Sequence, residues 1–289
     1  MQVNFSSDKL NITVDSFGAE LHSVKDADGR EYLWQADENV WKRHAPVLFP
    51  FICNTASKKY TVNGSEYSVS NHGFARDSEF TLVSSGENSA EFRLEASEES
   101  LKLYPFEFAL NIKYELDGNK LKVTYVTENC GSKPMPFFIG GHPAFRCPMA
   151  DDEDFSDYTV VYEKPETITQ PRADGSTAVI LDSCDSVKVS HDLFANDVFM
   201  KDKPESSWVA LVGKNSSVKL HYDNSGCIAV WSSWFTDSEK TAKAEFVCLE
   251  PWSSAPVYCD NTEELTEMKS AVTIAPNEKH SFSYTIEIN

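Results

Sequence analysis

The stretch FEFALNIKYELDGNKLKVTY, residues 106–125, indicates how this chain folds. From Phe106 to Leu116 every second residue is apolar, and most of the residues between them are more polar. Asp117-Gly118-Asn119 then supplies residues that favour a turn, and the alternation resumes as far as Tyr125. A period of two places one face of a strand in a core and the other in water. The stretch therefore predicts an antiparallel β-hairpin.

The rest of the chain repeats this pattern in many short runs. Asn63-Gly64 separates two such runs and predicts a second hairpin. Helical candidates are few and short: Glu38–His44, His191–Ala195 and Glu263–Met268. Many closely spaced strands with little helix predict an all-β fold, a large antiparallel β-sandwich. No change of composition marks a linker, so we expect residues 1–289 to form a single domain.

Charge and cysteine content exclude several classes of protein. The 289 residues include 45 Asp and Glu but only 26 Lys and Arg, which gives a formal charge of -19. Such a surface repels nucleic acid and anionic lipid, so we expect neither as a partner. The N-terminus does not resemble a signal peptide, and the longest nearly apolar run, Pro46–Cys53, is too short to span a bilayer. Seven cysteines without a C-x-x-C pair predict reduced thiols in a cytoplasmic protein and no metal site.

Three segments place an ionisable residue beside glycine, proline or aromatic residues: Asn71–Arg76, Gly140–Phe145 and Leu249–Trp252. Proline after His142 and after Glu250 holds the preceding residue extended. The flanking aromatic rings suit the C–H faces of sugars, whose hydroxyls need polar partners. Each segment alone also fits a structural role, and a catalytic role requires that the three meet in space.

Together the three segments resemble the LacX-like branch of the aldose 1-epimerase (galactose mutarotase) family. The resemblance extends over almost the whole chain, and its further motifs are Gly18-Ala19-Glu20-Leu21, Glu31-Tyr32-Leu33-Trp34, Pro46-Val47-Leu48-Phe49-Pro50, Tyr104-Pro105-Phe106 and Phe137-Phe138-Ile139-Gly140. It implies a supersandwich fold and interconversion of the α and β anomers of a free aldohexose such as glucose or galactose. It also implies that no cofactor or metal takes part.

The same resemblance assigns roles to individual residues. Glu250 matches the general base, His142 the general acid and His72 a second histidine near the ring oxygen. Asp197 matches an aspartate that holds sugar hydroxyls, although Asp192 and Asp185 lie close by in the sequence.

The sequence departs from the family pattern at the arginine that usually follows the Leu-Phe-Pro string, where it has Asn54. Asparagine can bond a hydroxyl but offers neither a charge nor a fork of donors. Arg76 could take over part of that role or only position its loop. The substrate-binding set predicted from the sequence is therefore Asp197, Arg76, Asn54 and Trp252. The departure bears on substrate choice and on activity.

Other functions remain open at this stage. A mutarotase for hexose 6-phosphates is disfavoured by Asn54 and by the overall charge. A non-catalytic sugar-binding protein would keep the pocket without turnover, and a glycosidase would need two carboxyl groups that flank the scissile bond. For the free-sugar mutarotase, the hexose 6-phosphate mutarotase and the sugar-binding protein, the expected partner is a small monosaccharide or its phosphate. The family resemblance implies a monomer or weak dimer.

Overall fold

The computed structural model describes residues 1–172, 176–222 and 226–289, and its architecture confirms the all-β prediction. Within these residues there are 22 strands and two short α-helices. The strands are β1 Gln2–Ser6, β2 Leu10–Asp15, β3 Glu20–Asp26, β4 Val47–Leu48, β5 Lys59–Val62, β6 Ser65–Ser68, β7 Thr81–Ser85, β8 Ser89–Glu95, β9 Phe108–Asp117, β10 Lys120–Asn129, β11 Met135–Phe137, β12 Gly140–Gly141, β13 Ala144–Arg146, β14 Thr159–Pro171, β15 Thr177–Lys188, β16 Phe199–Asp202, β17 Trp208–Val212, β18 Ser217–Tyr222, β19 Cys227–Trp231, β20 Phe246–Trp252, β21 Val272–Ile274 and β22 Lys279–Ile288. The helices are α1 Glu98–Leu103 and α2 Ser238–Ala242.

Both predicted hairpins are present. β9 and β10 pair antiparallel with Asp117 opposite Lys120, so the turn is as short as the sequence predicted. β5 and β6 pair with Val62 opposite Ser65 around Asn63-Gly64. Along β10 buried residues alternate with less buried ones, as the period of two requires.

Two antiparallel sheets make up most of the fold. The first has nine strands in the order β15-β14-β17-β18-β22-β10-β9-β8-β7. The second has six strands, ordered β16-β19-β20-β12-β4, with β13 also paired to β20. Smaller sheets join β1-β2-β3, β11-β21 and β5-β6.

The two large sheets pack face to face close to the candidate catalytic histidine. Gly141 of β12 lies so near the ring of Tyr284 on β22 that an added Cβ would come within 2.9 Å of it. Tyr284 in turn shares a hydrogen bond of 3.1 Å with Tyr125 of β10. Glycine at position 141 therefore lets β12 approach the nine-stranded sheet closely.

The helical predictions fare less well than the strands. Glu38–His44 contains only a short turn and no helix, so that prediction is wrong. The other two candidates are single 3₁₀ turns, His191–Phe194 and Leu265–Glu267. The two α-helices were not predicted, because each is too short to show a period. Helix α1 starts at a capping box in which the Ser97 and Ser100 side chains bond each other's backbone amides.

In the part of the chain described by the structure, no helix has the length and apolar character needed to cross a membrane. All seven cysteines are free, and three of them, Cys147, Cys227 and Cys248, are buried.

Candidate active site

The three segments singled out in the sequence meet around one cavity of about 720 Å³. This volume lies in the range of small-molecule binding sites, roughly 300–1,000 Å³. The residues of its wall come from distant parts of the chain and are Trp41, Lys42, Arg43, Cys53, Asn54, Asn71, His72, Arg76, His142, Gln170, Asn196, Asp197, Val198, Trp231, Glu250, Trp252 and Tyr258. All seven residues predicted as catalytic or substrate-binding are among them.

Glu250 projects from β20, a strand in which every residue is buried. A carboxyl group in such a strand is costly to ionise, because little water can solvate its charge. Burial raises the pKa of Glu250 well above its usual range, and the nearby Asp197 carboxylate raises it further. The Trp252 indole opposes this rise, and it is the smallest of the three contributions.

His142 follows β12 directly, and its Nε2 lies 3.2 Å from Oε2 of Glu250. Indole rings hold the imidazole on two sides: Trp41 stacks on it at 5.0 Å, and Trp231 meets it edge-on at 5.5 Å between centroids. Burial lowers the pKa of His142 well below its usual value, and the neighbouring His72 adds to this shift. Glu250 and His142 are thus an acid and a base that both favour their neutral forms.

His72 has a left-handed backbone conformation, with φ of +64°, and its ring centroid lies 5.6 Å from that of His142. The backbone N–H of Cys53 donates to Nδ1 of His72 at 3.1 Å. Nδ1 is therefore an acceptor, and the proton of the neutral ring sits on Nε2. Burial lowers the pKa of His72 to about 3, and Arg76 and Arg43 contribute to the shift. At neutral pH His72 can offer one uncharged N–H donor.

Asp197 lies in the loop that joins the turn His191–Phe194 to β16, and it too is left-handed, with φ of +71°. Its backbone N–H donates to the Phe194 carbonyl at 2.9 Å. Asp197 lines the cavity, whereas Asp192 and Asp185, its alternatives from the sequence, do not.

Asn54 lies in the cavity wall, but both ends of its amide bond the protein. Its Nδ2 donates to the Val69 carbonyl at 2.8 Å, and its Oδ1 accepts from the Thr55 N–H at 2.9 Å. Arg76 donates to the Asn71 carbonyl at 2.5 Å, while its Nε is buried without a hydrogen-bond partner among the described residues.

Sequence reasoning missed several residues of the wall, above all Trp41, Lys42, Arg43, Gln170 and Trp231. Trp41 to Arg43 lie in the segment predicted to be helical, where no glycine or proline set them apart. Gln170 is one polar residue in a long strand. The available signal was that Trp41 and Trp231 are two of only six tryptophans in the chain, a residue type that often lines sugar sites.

Two groups of side chains in the described residues bring possible metal ligands within 4.8 Å of one another: His142, Cys248 and Glu250, and Glu20, His22 and His44. The first is the buried pair described above with one thiol added. In the second, the two histidine rings stack at 4.1 Å with planes only 19° apart. Nearly parallel rings direct their nitrogen lone pairs alongside each other, whereas one ion needs them to converge.

Known proteins are similar to this chain over its full length. The family model for aldose 1-epimerase matches residues 1–287. The plasmid-encoded protein LacX of Lactococcus lactis is 30% identical over 305 aligned residues, which cover 100% of this chain and 99% of that protein.

Solved structures of related proteins share the fold. A galactose mutarotase-related enzyme from Lactobacillus acidophilus superposes with a TM-score of 0.91 at 26% identity, covering 100% of this chain and 97% of that one. A galactose mutarotase-like protein from Lactobacillus casei gives 0.89 at 26% identity, with 100% of both chains covered. The sandwich, the order of the motifs and this full-length similarity lead to one conclusion: the chain belongs to the aldose 1-epimerase family.

Proposed function

We propose that this protein is an aldose 1-epimerase that interconverts the α and β anomers of a free aldohexose. The observation that carries the proposal is the contact of 3.2 Å between Glu250 and His142 in the wall of a cavity of about 720 Å³. Anomer interconversion needs one group to take a proton from the C1 hydroxyl and another to give a proton to the ring oxygen. A carboxylate and an imidazole within reach of one substrate can perform both transfers.

In the proposed reaction Glu250 removes the proton from the C1 hydroxyl while His142 protonates the ring oxygen. The C1–O5 bond breaks, C1 becomes an aldehyde carbon, and rotation about C1–C2 presents its other face. For closure His142 takes the proton back from the O5 hydroxyl as O5 attacks C1, and Glu250 returns its proton to the carbonyl oxygen. The sugar leaves with the same atoms and the opposite configuration at C1.

The protonation preferences of the pair fit this cycle. Ionised Glu250 with protonated His142 carries one proton, and so does neutral Glu250 with neutral His142. Burial favours the neutral arrangement, and the two arrangements differ only in which of the two side chains holds the proton. A bound C1 hydroxyl that donates to the carboxylate favours the ionised arrangement, which is the reactive one.

Other groups in the wall suit the remaining atoms of a sugar. The Nε2–H of His72 can donate to the ring oxygen or to a neighbouring hydroxyl. The Asp197 carboxylate can accept from two hydroxyls, and the rings of Trp41 and Trp252 offer apolar surface to C–H groups. Asn54 acts through the loop that it holds, because its own amide is already bonded.

Polarimetry tests the proposal directly. Freshly dissolved α-D-glucose and α-D-galactose should relax to anomeric equilibrium faster with the wild-type protein than in buffer alone, in proportion to protein concentration. Binding of either sugar without faster relaxation would establish the non-catalytic sugar-binding protein instead.

One observation favours a second candidate, a mutarotase for hexose 6-phosphates. Three cationic side chains, Lys42, Arg43 and Arg76, line the cavity. The Arg43 and Arg76 side chains are only 16% and 14% exposed, and both lie near the same carboxylate, Asp77, at 2.9 Å and 3.9 Å. Burial lowers the pKa of Arg76 to about 10, so it remains charged at neutral pH. This local positive charge contrasts with the net charge of -19 and would suit a phosphate.

Replacing Arg43 with glutamine separates the two candidates. A lost hydrogen bond to a charged group costs about 1.5–3 kcal/mol, roughly a 10- to 100-fold loss in affinity. If the substrate is a phosphate ester, Arg43→Gln raises KM for glucose 6-phosphate by that factor and leaves KM for glucose nearly unchanged, as measured by NMR exchange between anomers. Arg146→Gln, on a different cavity, is the matched control. Equal wild-type KM values for the two sugars would exclude a phosphate site.

A further inference from the structure

Gln170 connects the nine-stranded sheet to the loop that carries Asp197. It is the penultimate residue of β14, opposite Ala178 of β15, and only 2% of it is exposed. The same side chain lines the cavity with Asp197 and Glu250. None of the motifs that identify the family includes it.

The amide nitrogen of Gln170 lies within hydrogen-bond distance of three consecutive backbone carbonyls, and because it has two N–H groups, one of them is shared between two carbonyls. Nε2 lies 2.9 Å from the oxygen of Asn196, 2.8 Å from that of Asp197 and 3.0 Å from that of Val198. These contacts also fix the orientation of the amide, because the opposite orientation would set its oxygen against three other oxygens. One side chain thus holds the backbone of the whole loop 196–198.

The held loop has an uncommon conformation. Asp197 is left-handed, with φ of +71°, a region that non-glycine residues seldom occupy unless their surroundings enforce it. Asp197 lies between the turn His191–Phe194 and β16 and belongs to no strand, so no β-ladder pairs its carbonyl. Because Gln170 bonds that carbonyl and the two beside it, it restrains the direction in which the Asp197 side chain leaves the backbone.

The oxygen of the Gln170 amide, unlike the nitrogen, is not hydrogen-bonded to the described residues. Oε1 of Gln170 is buried and has no hydrogen-bond partner among the described residues. A glutamine with a purely structural role would normally have both ends of its amide bonded, since buried polar atoms without partners are rare. This unsatisfied acceptor sets Gln170 apart from an ordinary structural glutamine, and the hold on residues 196–198 comes from Nε2 alone.

We infer that Gln170 is a positioning residue for sugar binding: it clamps residues 196–198 so that the Asp197 carboxylate meets the hydroxyls of the substrate. The inference rests on the proposed function, because it assigns Asp197 to the substrate. It adds that sugar affinity depends on a residue of the opposite sheet, while the proton-transfer pair Glu250 and His142 is left intact.

The test is Gln170→Met, which keeps the length of the side chain and removes both polar atoms. We expect KM for D-glucose and D-galactose to rise about tenfold, kcat to stay within about twofold and the pH profile to keep its shape. In an Asp197→Ala background the same substitution should raise KM by less than about threefold, because most of its effect passes through Asp197. Anomer exchange by NMR gives kcat and KM, and quenching of tryptophan fluorescence gives the dissociation constant of each sugar.

A matched control is Gln35→Met. Gln35 also donates to three backbone carbonyls, those of His22, Leu33 and Trp34, but it lies outside this cavity. Its loss should leave KM unchanged. If Gln170→Met does not fold, Gln170→Glu preserves the shape, turns an oxygen toward the three carbonyls and should raise KM similarly.

An unchanged KM in the folded Gln170 variant would overturn the inference. So would a double variant whose rise in KM equals the product of the rises caused by Gln170→Met and by Asp197→Ala, because the two residues would then act independently. Wild-type protein that binds sugar without turnover would contradict the proposed function alone, since the dissociation constants still report on Gln170. Wild-type protein that binds neither sugar would overturn both.

Discussion

Replacing Glu250 with glutamine should reduce the rate of anomer interconversion by about 10²- to 10⁴-fold, the usual contribution of one positioned proton-transfer group. The amide keeps the size of the side chain but has no basic oxygen that can take the C1 proton. Glu250 is 2% exposed and lies 3.2 Å from His142, so the buried side chain has little freedom to move. The substitution therefore removes the basic oxygen without displacing the neighbouring residues. NMR exchange or polarimetry with glucose and galactose measures the loss. Glu245→Gln, at an exposed carboxylate beside β20, is the control and should keep full activity.

The same variant should not lose stability at neutral pH. Because burial raises the pKa of Glu250 in the folded state, the native protein must either hold a proton there or bury a charge. Above the usual carboxyl pKa of about 4.5 the unfolded state releases that proton, so stability falls as pH rises towards the folded-state pKa. Glutamine removes this cost, and its stabilising effect should vanish below about pH 4.5.

Wild-type turnover in Glu250→Gln would show that Glu250 is not the base.

Gly73→Ala should destabilise the protein by more than about 4 kcal/mol, a loss found only where a substitution breaks a specific structural requirement. Gly73 is left-handed, with φ of +77°, and its added Cβ would lie 2.0 Å from the carbonyl oxygen of Phe49. The obstructing atoms belong to the backbone, so no side-chain rotation relieves the clash. Urea-induced unfolding measures the change, and any folded protein should also bind sugar poorly because His72 is the preceding residue.

Gly29→Ala separates the clash from the cost of the backbone conformation. Gly29 is also left-handed, with φ of +88°, but an added Cβ there meets nothing within 4 Å. Its substitution should cost only about 1–2 kcal/mol, the penalty of a left-handed alanine. Similar losses in the two variants would mean that the segment around His72 can move away from Phe49.

What the sequence predicts well in this protein is regular and local. The alternation in Phe108–Asp117 and Lys120–Asn129 predicts a hairpin; burial alternates along the whole of the second strand, whereas the first five residues of the first strand are all buried. The site residues His72, His142 and Glu250 could be named because each stands in a distinctive motif beside glycine or proline. Their proximity could not be derived from the sequence, since it depends on how β12 and β20 lie beside each other in the six-stranded sheet.

The residues that the sequence failed to predict depend on irregular backbone. Trp41 was assigned to a helix, but only one turn forms there, with the Trp41 N–H bonded to Asp37 at 2.8 Å. The indole of Trp34 then donates to the Trp41 carbonyl at 2.8 Å and holds the chain away from a helical path. A hydrogen bond of that kind between a side chain and the backbone produces no periodic pattern in the sequence. Gln170 was missed for a similar reason, because its three acceptors lie in a loop distant in sequence.

The wall of the cavity begins at Trp41 and ends at Tyr258, and it takes residues from both large sheets. Contacts between residues so far apart in sequence carry a high entropic cost of loop closure and tend to form late in folding. If the proposed activity is correct, it therefore requires residues from almost the whole length of the chain. During refolding, β-structure should return before activity, and a fragment that stops short of β20 would contain both histidines yet no working site.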